Sequence, residues 1–435
     1  MNKNNSDVLV VGGGIAACVA AAAVREEGKK VTMLFSNGGN TEICGGAFDI
    51  LGVVPGEEPE ICDAFETGID LLLEKYPNHI YKKTRCSLSE GIKTAVRLAG
   101  EGGYDMYGFD GRNVWVPNIM GTFTVNAYVP EALKDSVLVP GKKEKVLVVG
   151  IKGNVAFHAS SAAVSYQKYQ KKLGGKAEYY STEIALSGWG DRRKISDGEL
   201  ADYLDTEQGQ TELLDAVTTF CRNNRYHFDK ILFPPALGYL EYASVIQKIR
   251  EACGCAVGEV ETLGNSVVGY RLTRALYRGL VEEGVDVKRG TVVKEISVEG
   301  DRVVAQCLSG ITDQLHPGEK KTYEADSMIL ATGGFVGGGI RARKTEVWIE
   351  LLNQNLGQVG VDLLDRDVVN GKGQDFIRLG VEVDEKMAVA DEAYKSRIYA
   401  CGNLLAGQNF ASERSGVGVA VSSAYMAAKS AAASL

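Results

Sequence analysis

An α/β fold built on a parallel sheet, with an α+β domain inserted in it, is predicted by three features of this sequence. An apolar run, Val8–Val11, leads directly into Gly12-Gly13-Gly14 and then into a helix of small residues from Ile15. A second apolar run, residues 30–35, follows after one helix length and completes a β-α-β frame. Much later, two short apolar runs end in glycine, at residues 326–334 and 398–402, as further strands of the same sheet would.

The first turn carries the pattern G-x-G-x-x-A, with Gly12, Gly14 and Ala17 at its marked positions. In a Rossmann-like unit only glycine allows this turn and lets a pyrophosphate touch the backbone at the helix N-terminus. Gly12, Gly13, Gly14, Ala16 and Ala17 are therefore candidate cofactor-binding residues. Ala20 and Ala21 continue the small face that lets the helix sit close on the sheet. At the end of the second strand such units usually place Asp or Glu against the ribose, whereas this chain offers Ser36 and Asn37. Both side chains accept hydrogen bonds, so they join the candidates, with a weaker hold on an adenosine ribose.

Residues 38–49 form a glycine-rich loop in which Gly45 and Gly46 allow close ligand approach. Apolar periodicity predicts helices over 60–75 and 87–103. From 104 the texture changes: Tyr107, Phe109, Trp115, Phe123 and Tyr128 come at short intervals, with paired strand signals over 113–129. The expected domains are 1–103, nucleotide-binding, first part; 104–260, an inserted substrate or cap domain; 261–345, nucleotide-binding, second part; 346–394, an insert; and 395–435, the closing strand and helix. Inside the insertion, Lys145–Gly150 reads as a buried strand feeding a loop, since no second fingerprint follows it. Residues 232–238 read as a strand end broken by proline and glycine.

A helix carrying Arg271 and Arg274 then returns the chain to the first domain. Short strands follow at 285–287, 291–296 and 302–308, and Val293 on the second joins the candidate list. After the strand at 326–330 come Ala331, Thr332 and Gly333, placed for backbone passage past a nucleotide. Gly402 and Asn403 close the last strand, and Gly416 and Gly418 open a final small-residue helix. The positive end of that helix can stabilise negative charge on a flavin ring.

A hydrophobic fraction of 45% suits a globular protein, and the net charge of −8 with no basic run argues against nucleic acid. No stretch approaches a membrane span and no signal peptide is evident, so a cytoplasmic protein is expected, peripheral to a membrane only through a partner. The 9 cysteines lack an iron–sulfur spacing, and His79, His158, His227 and His316 are too dispersed for zinc, so no metal is expected.

Taken in order, residues 45–52, 148–153, 235–238, 266–272 and 398–403 resemble the segments of the B-type subunits of anaerobic glycerol-3-phosphate dehydrogenases. That family falls within the fumarate reductase and glycerol-3-phosphate dehydrogenase flavoproteins. The resemblance runs from about residue 7 to 430; residues 411–418 depart from it, standing where the family usually has a denser glycine run. It implies a flavin, with FMN suggested by the family and FAD by the dinucleotide fingerprint; attachment is expected to be non-covalent because no histidine falls in the candidate loops, although Cys44 does. It also implies two partners, an A-type catalytic subunit and a C-type iron–sulfur subunit, together with a small phosphate substrate and electrons passed to quinone. The alternative is a stand-alone FAD-dependent enzyme of the fumarate reductase type, acting on another small acid. A third reading is a scaffold without activity.

Alcohol oxidation by flavin needs a base and cations for the substrate anion. Arg271 and Arg414 are the candidate anion clamps, with Arg341 and Arg343 behind them, because a guanidinium bonds two oxygens at once. His158 is the candidate base, with His227 second, because imidazole titrates near neutral pH.

Overall fold

A computed structural model describes residues 6–189, 194–224, 227–264, 266–310, 318–358, 363–367, 370–394 and 396–435. His316 lies outside the described residues. The chain opens with β1 (Val8–Val11), α1 (Ile15–Glu26), β2 (Val31–Phe35) and, later, α2 (Leu88–Glu101). Next come β3 (Lys145–Ile151), α3 (Ala159–Tyr169), β4 (Glu178–Ile184), α4 (Glu207–Asn223), β5 (Lys230–Phe233), α5 (Tyr242–Cys253) and β6 (Ala256–Glu259). It continues through α6 (Val267–Glu282), β7 (Asp286–Arg289), β8 (Thr291–Glu299), β9 (Arg302–Ser309), β10 (Glu319–Ala325) and β11 (Ser327–Leu330). β12 (Ile398–Ala400) and α7 (Gly416–Ala433) close it.

Two compact units result: residues 1–42, 48–103 and 273–435 form the first, and 43–47 with 104–272 form the second. The second thus extends past the expected boundary at 260, into α6, and includes the short segment 43–47.

The first unit is built on a five-stranded parallel sheet in the order β7-β2-β1-β11-β12. β1 is buried along its length and pairs with both neighbours, Val8 standing opposite Val31 on one side and Ser327 on the other. A strand hydrogen-bonded on both edges and apolar on both faces has to be central. The chain leaves β1 toward β2 and returns on the other side at β11, so the crevice at the carboxyl ends of β1 and β11 is the topological switch point, where ligands of such sheets bind. α1 is buried from Ile15 to Val24, and it packs against α7, whose face is equally small. The small side chains, mostly alanine, let the two helices approach closely. α1 ends at Glu26, the chain turns at Gly28 with φ +74°, and Arg25 donates to the Lys29 carbonyl at 2.8 Å, a cation at the negative helix end. β8, β9 and β10 form a separate antiparallel sheet.

The second unit carries a four-stranded parallel sheet in the order β4-β3-β5-β6, with two antiparallel ribbons. The ribbon Val114–Pro117 with Phe123–Asn126 carries the antiparallel signal read at 113–129. The parallel core is the part the sequence did not reveal: Lys145–Gly150 lies in a strand flanked on both sides by parallel partners. Of the helix expected over 60–75, only Phe65–Lys75 is helical, because Glu60–Ile61 pairs with Val53–Val54 as a strand.

Candidate functional site

Within the first unit the β1–α1 turn meets the loops after β11 and β12. Gly12 has φ +140°, and a Cβ there would stand 2.2 Å from the Ala331 carbonyl oxygen. Gly402 has φ +72°, and its Cβ would stand 2.9 Å from Ala16 Cβ. A Cβ on Gly334 would be 2.7 Å from the Asn403 carbonyl oxygen. Gly12, Ala16, Ala331 and Gly402 are thus gathered at the switch point by close contacts that glycine permits, and Asn403 is joined to them through Gly334. Gly333 also needs glycine, at φ +74°, and Thr332 beside it is half-buried.

The three turn glycines differ in role. Gly13 is held by the protein itself: its Cβ would lie 2.1 Å from the Asn37 carbonyl oxygen, and its own carbonyl accepts from Tyr277 at 2.7 Å. Gly14 is the open one, an extended N-cap at φ −81° whose nearest neighbour to an added Cβ is Thr41 Oγ1 at 3.3 Å. α1 makes its first internal bond at Cys18, which donates to Gly14, and the Ile15 N–H is taken by Thr41 Oγ1 at 2.9 Å. The N–H groups of Ala16 and Ala17 belong to the first turn, which a helix cannot satisfy from within. They provide a positive, donor-lined end of the kind that binds phosphate.

Ser36 and Asn37 are exposed at the end of β2, and Asn37 Oδ1 accepts the Gly39 N–H at 3.0 Å, starting a short helical turn. That turn supplies residues sequence reasoning missed. Thr41 caps α1, and Glu42 brings a carboxylate back to the end of β2, where it accepts the Gly38 N–H at 2.9 Å. Asn40 Oδ1 and Asn403 Oδ1 are both buried without a hydrogen-bond partner among the described residues. Orphaned buried acceptors are costly, and a bound molecule with hydroxyl or imide N–H donors would satisfy them. The open Gly14, the unfilled α1 donors and these two acceptors fit a flavin nucleotide. Val293 is half-buried on β8, at the register shift that precedes Glu295.

α7 departs from expectation at its N-terminus. Asp49 Oδ1 accepts the Val417 N–H and the Asp49 carbonyl accepts the Gly418 N–H, both at 2.9 Å. These donors are therefore not available to a ligand ring, which corrects the role read for Gly416 and Gly418. Gly418 is a packing glycine, its Cβ position 2.0 Å from Tyr81 Oη; Gly416 has no neighbour nearer than 3.7 Å. Burial pushes the Asp49 carboxyl above the ordinary range, against the pull of the Val417 N–H and of Arg414. Beside it, Glu413 is fully buried and accepts from His79 at 3.1 Å, Arg378 at 3.1 Å, Ser415 at 2.9 Å and the Asn409 N–H at 3.0 Å. Burial alone would raise Glu413, but the His79 and Arg378 contacts outweigh it and hold the carboxyl low.

Arg414 is exposed at φ +52°, the C-cap of the short helix Phe410–Glu413. Arg271, in contrast, is not an available clamp. It is buried, donates to Glu259 at 2.6 and 3.0 Å and to the Gly238 carbonyl at 2.7 Å, and stacks 4.1 Å over Tyr242. A guanidinium so engaged holds the second unit together and has no fork left for an anion. His158 is exposed as the N-cap of α3, also in the second unit, and makes no side-chain capping bond. Arg341 and Arg343 pair with Glu350 on an exposed ribbon at 3.3 and 2.7 Å. Gly45 and Gly46 pack within the second unit, their Cβ positions 2.6 Å from Glu261 Oε1 and 2.4 Å from Tyr104 Oη.

Residues 7–359 match the FAD binding domain family, most of the chain. The chain belongs to that family. A Halobacterium salinarum protein, named as the probable B subunit of anaerobic glycerol-3-phosphate dehydrogenase, is 29% identical over 47% of this chain and 47% of its own length, so this match spans about half of that relative. A Pectobacterium atrosepticum protein, named as the B subunit of anaerobic glycerol-3-phosphate dehydrogenase, is 24% identical, with 97% of each chain covered. Among solved structures, 3-ketosteroid delta1-dehydrogenase from Sterolibacterium denitrificans aligns over 77% of this chain and 48% of its own, at 14% identity and a TM-score of 0.35. In agreement with the family, the first unit is an α/β fold on a parallel sheet. Among the described residues, no helix is long and apolar enough to cross a membrane.

Proposed function

We propose that this chain is the flavin-carrying B-type subunit of an anaerobic glycerol-3-phosphate dehydrogenase. In this reading glycerol 3-phosphate is oxidised to dihydroxyacetone phosphate, and electrons pass to quinone through two partners, an A-type catalytic subunit and a C-type iron–sulfur subunit. The observation that carries it is the similarity over 97% of the chain to a relative of that name, joined to the family match. The flavin, when bound, supplies the hydride acceptor. Ala16 and Ala17 hold its phosphate by their N–H groups, and Asn40 and Asn403 orient it through their side-chain carbonyls. Arg414 is an exposed cation that could take a substrate or partner anion. Asp49, its carboxyl raised by burial, accepts the Val417 N–H and closes the N-terminal end of α7.

The test is to express a tagged chain together with its neighbouring genes, and to measure iron, flavin and additional polypeptides in the eluate. Denaturation should release the flavin intact, and its mass decides between FAD and FMN. A chain that elutes alone and oxidises glycerol 3-phosphate at about 10 per second, an ordinary enzymatic rate, refutes the reading as one member of a complex. A chain that elutes alone and turns over another small acid supports the stand-alone enzyme instead.

A further inference from the structure

Three thiols come together at one edge of the second unit's parallel sheet, for a topological reason. β5 and β6 are parallel neighbours, with Lys230 opposite Ala256. α5 connects one to the other and α4 leads into β5, so both helices run back along the sheet and end at the edge where the strands begin. Cys221 lies in the last turn of α4 and Cys253 is the last residue of α5. Gly254, at φ +64°, then turns the chain so that Cys255 directly precedes β6, pinned where the Ala256 N–H donates to the Asp229 carbonyl at 3.1 Å. α4 and α5 pack together, which brings Cys221 and Cys253 alongside each other at the ends of the two helices.

All three cysteines are half-buried, and Cys255 lines an open groove with Asp135, His227, Asp229 and Arg250. Cys221 and Cys253 do not line that groove, but both are part-exposed, so a small oxidant reaches them from solvent. The Cys253 hydrogen bond stabilises a thiolate on Cys221 and brings its pKa down to about 7, against the opposing effect of burial. Burial pushes Cys255 up to about 11, with the nearby Cys221 and Asp229 acting in the same direction. One thiol of the cluster is thus nucleophilic at neutral pH while its neighbour remains protonated, which is the arrangement of a reactive dithiol. The groups do not form a metal site: among the described residues no cluster of His, Cys, Asp or Glu is arranged to hold an ion.

We propose that Cys221 and Cys253 form a peroxide-sensitive dithiol that closes to a disulfide and fastens the C-terminal ends of α4 and α5 to each other. The Cys221 thiolate attacks one oxygen of hydrogen peroxide, the O–O bond breaks, and the departing hydroxide takes up a proton to become water. Cys221 is then a sulfenic acid. Cys253 sulfur attacks it, the S–S bond forms as the S–O bond breaks, and a second water leaves. One peroxide is reduced to two waters while two thiols are oxidised to one disulfide. Cys255 is the third thiol, placed to compete by exchange.

The full chain treated with one equivalent of hydrogen peroxide, quenched with iodoacetamide and mapped by mass spectrometry should yield a linked peptide pair containing Cys221 and Cys253, reversed by dithiothreitol. Cys255→Ser should retain that link, and Cys253→Ser should leave Cys221 as a sulfenic acid trapped by dimedone. Without oxidant, Cys221 alkylation should be half-maximal near pH 7, and Cys253→Ala should move that midpoint upward. At pH 7 its rate should exceed that of a solvated model thiol by roughly three- to fourfold, after allowing for the lower nucleophilicity of a more acidic thiol. A Cys253–Cys255 link in place of the predicted one overturns the assignment. So does the absence of any link with a Cys221 midpoint above pH 8.

Discussion

Substitution at Gly14 separates ligand approach from packing, because the glycines of the β1–α1 turn differ in their surroundings. Gly14 has φ −81° and ψ 178°, open to any residue, and an added Cβ meets Thr41 Oγ1 at 3.3 Å and the Gly38 oxygen at 3.6 Å. Gly14→Ala should therefore fold, with a stability change within about 1 kcal/mol. Gly14→Val adds two further methyl groups at the N-cap of α1, beside the donors that would receive a phosphate. Hydrogen bonds to a charged group contribute about 1.5–3 kcal/mol, so flavin affinity should fall roughly ten- to a hundredfold. Gly12 is the contrast. It sits at φ +140°, and a Cβ there would be 2.2 Å from the Ala331 oxygen, so Gly12→Ala has to part β1 from β11. The expected cost is about 4 kcal/mol or more, in the range reserved for buried backbone conflicts. Flavin titration into apoprotein, with urea melts of the same variants, reads both quantities. A Gly14→Val protein with wild-type stability and wild-type flavin affinity would show that no phosphate approaches this turn.

Arg271→Met should destabilise the chain by about 3–5 kcal/mol in urea melts, since it strands the buried Glu259 carboxylate, while flavin affinity stays unchanged. Adding Glu259→Leu should recover much of that loss, and a double variant as unstable as the single one would contradict the ion-pair account. Glu413 is held below its ordinary value of 4.5 in the folded state, so its stabilising contribution is present above the unfolded pKa and is lost as pH falls through the folded one. Glu413→Gln should accordingly flatten the acid limb of stability against pH below about 4.5, a limb that melts at stepped pH would show unchanged if the group were inert. Asp49 is displaced the opposite way, so its ionisation weakens the fold as pH rises through the unfolded value toward the folded one. Asp49→Asn retains an acceptor for Val417 and should be as stable as wild type or more so at pH 7; a large loss of Tm there would mean the charge itself caps α7.

The sheet of the first unit could be read from the chain because its strands announce themselves locally. Val8–Val11 is uninterrupted and apolar, as a strand buried on both faces must be, and Gly12 and Gly13 after it are set by contacts at the strand ends. The second unit's sheet could not be read in that way. Its strands are separated by long helices, and β3 runs into Lys152-Gly153 without a glycine fingerprint, so nothing local distinguishes a central parallel strand from any other buried run. Arg271 illustrates a different limit. Its sequence neighbourhood suggests an anion clamp, whereas its partner Glu259 lies on another element, and only the folded chain shows that the guanidinium is already engaged. Thr41 and Glu42 escape a reading of the sequence because each acts backwards along the chain, Thr41 on the start of α1 and Glu42 on the turn that precedes it.

Glycine-rich motifs conflate two physical demands that the geometry separates. Gly12, Gly13 and Gly418 would each place a Cβ within 2.2 Å of the chain's own atoms, and the fold alone accounts for them. Gly14 and Gly416 have no such neighbour, at 3.3 and 3.7 Å, and only for these does packing leave the choice of residue open. At Gly416 the adjacent N–H groups are taken by Asp49, so that end of α7 is closed by the protein itself. At Gly14 the donors of Ala16 and Ala17 remain, and two buried amide oxygens, on Asn40 and Asn403, have no donor among the described residues. The case for a nucleotide at the switch point therefore rests less on the number of glycines than on the one that packing does not require, together with the polar atoms that the chain leaves unsatisfied.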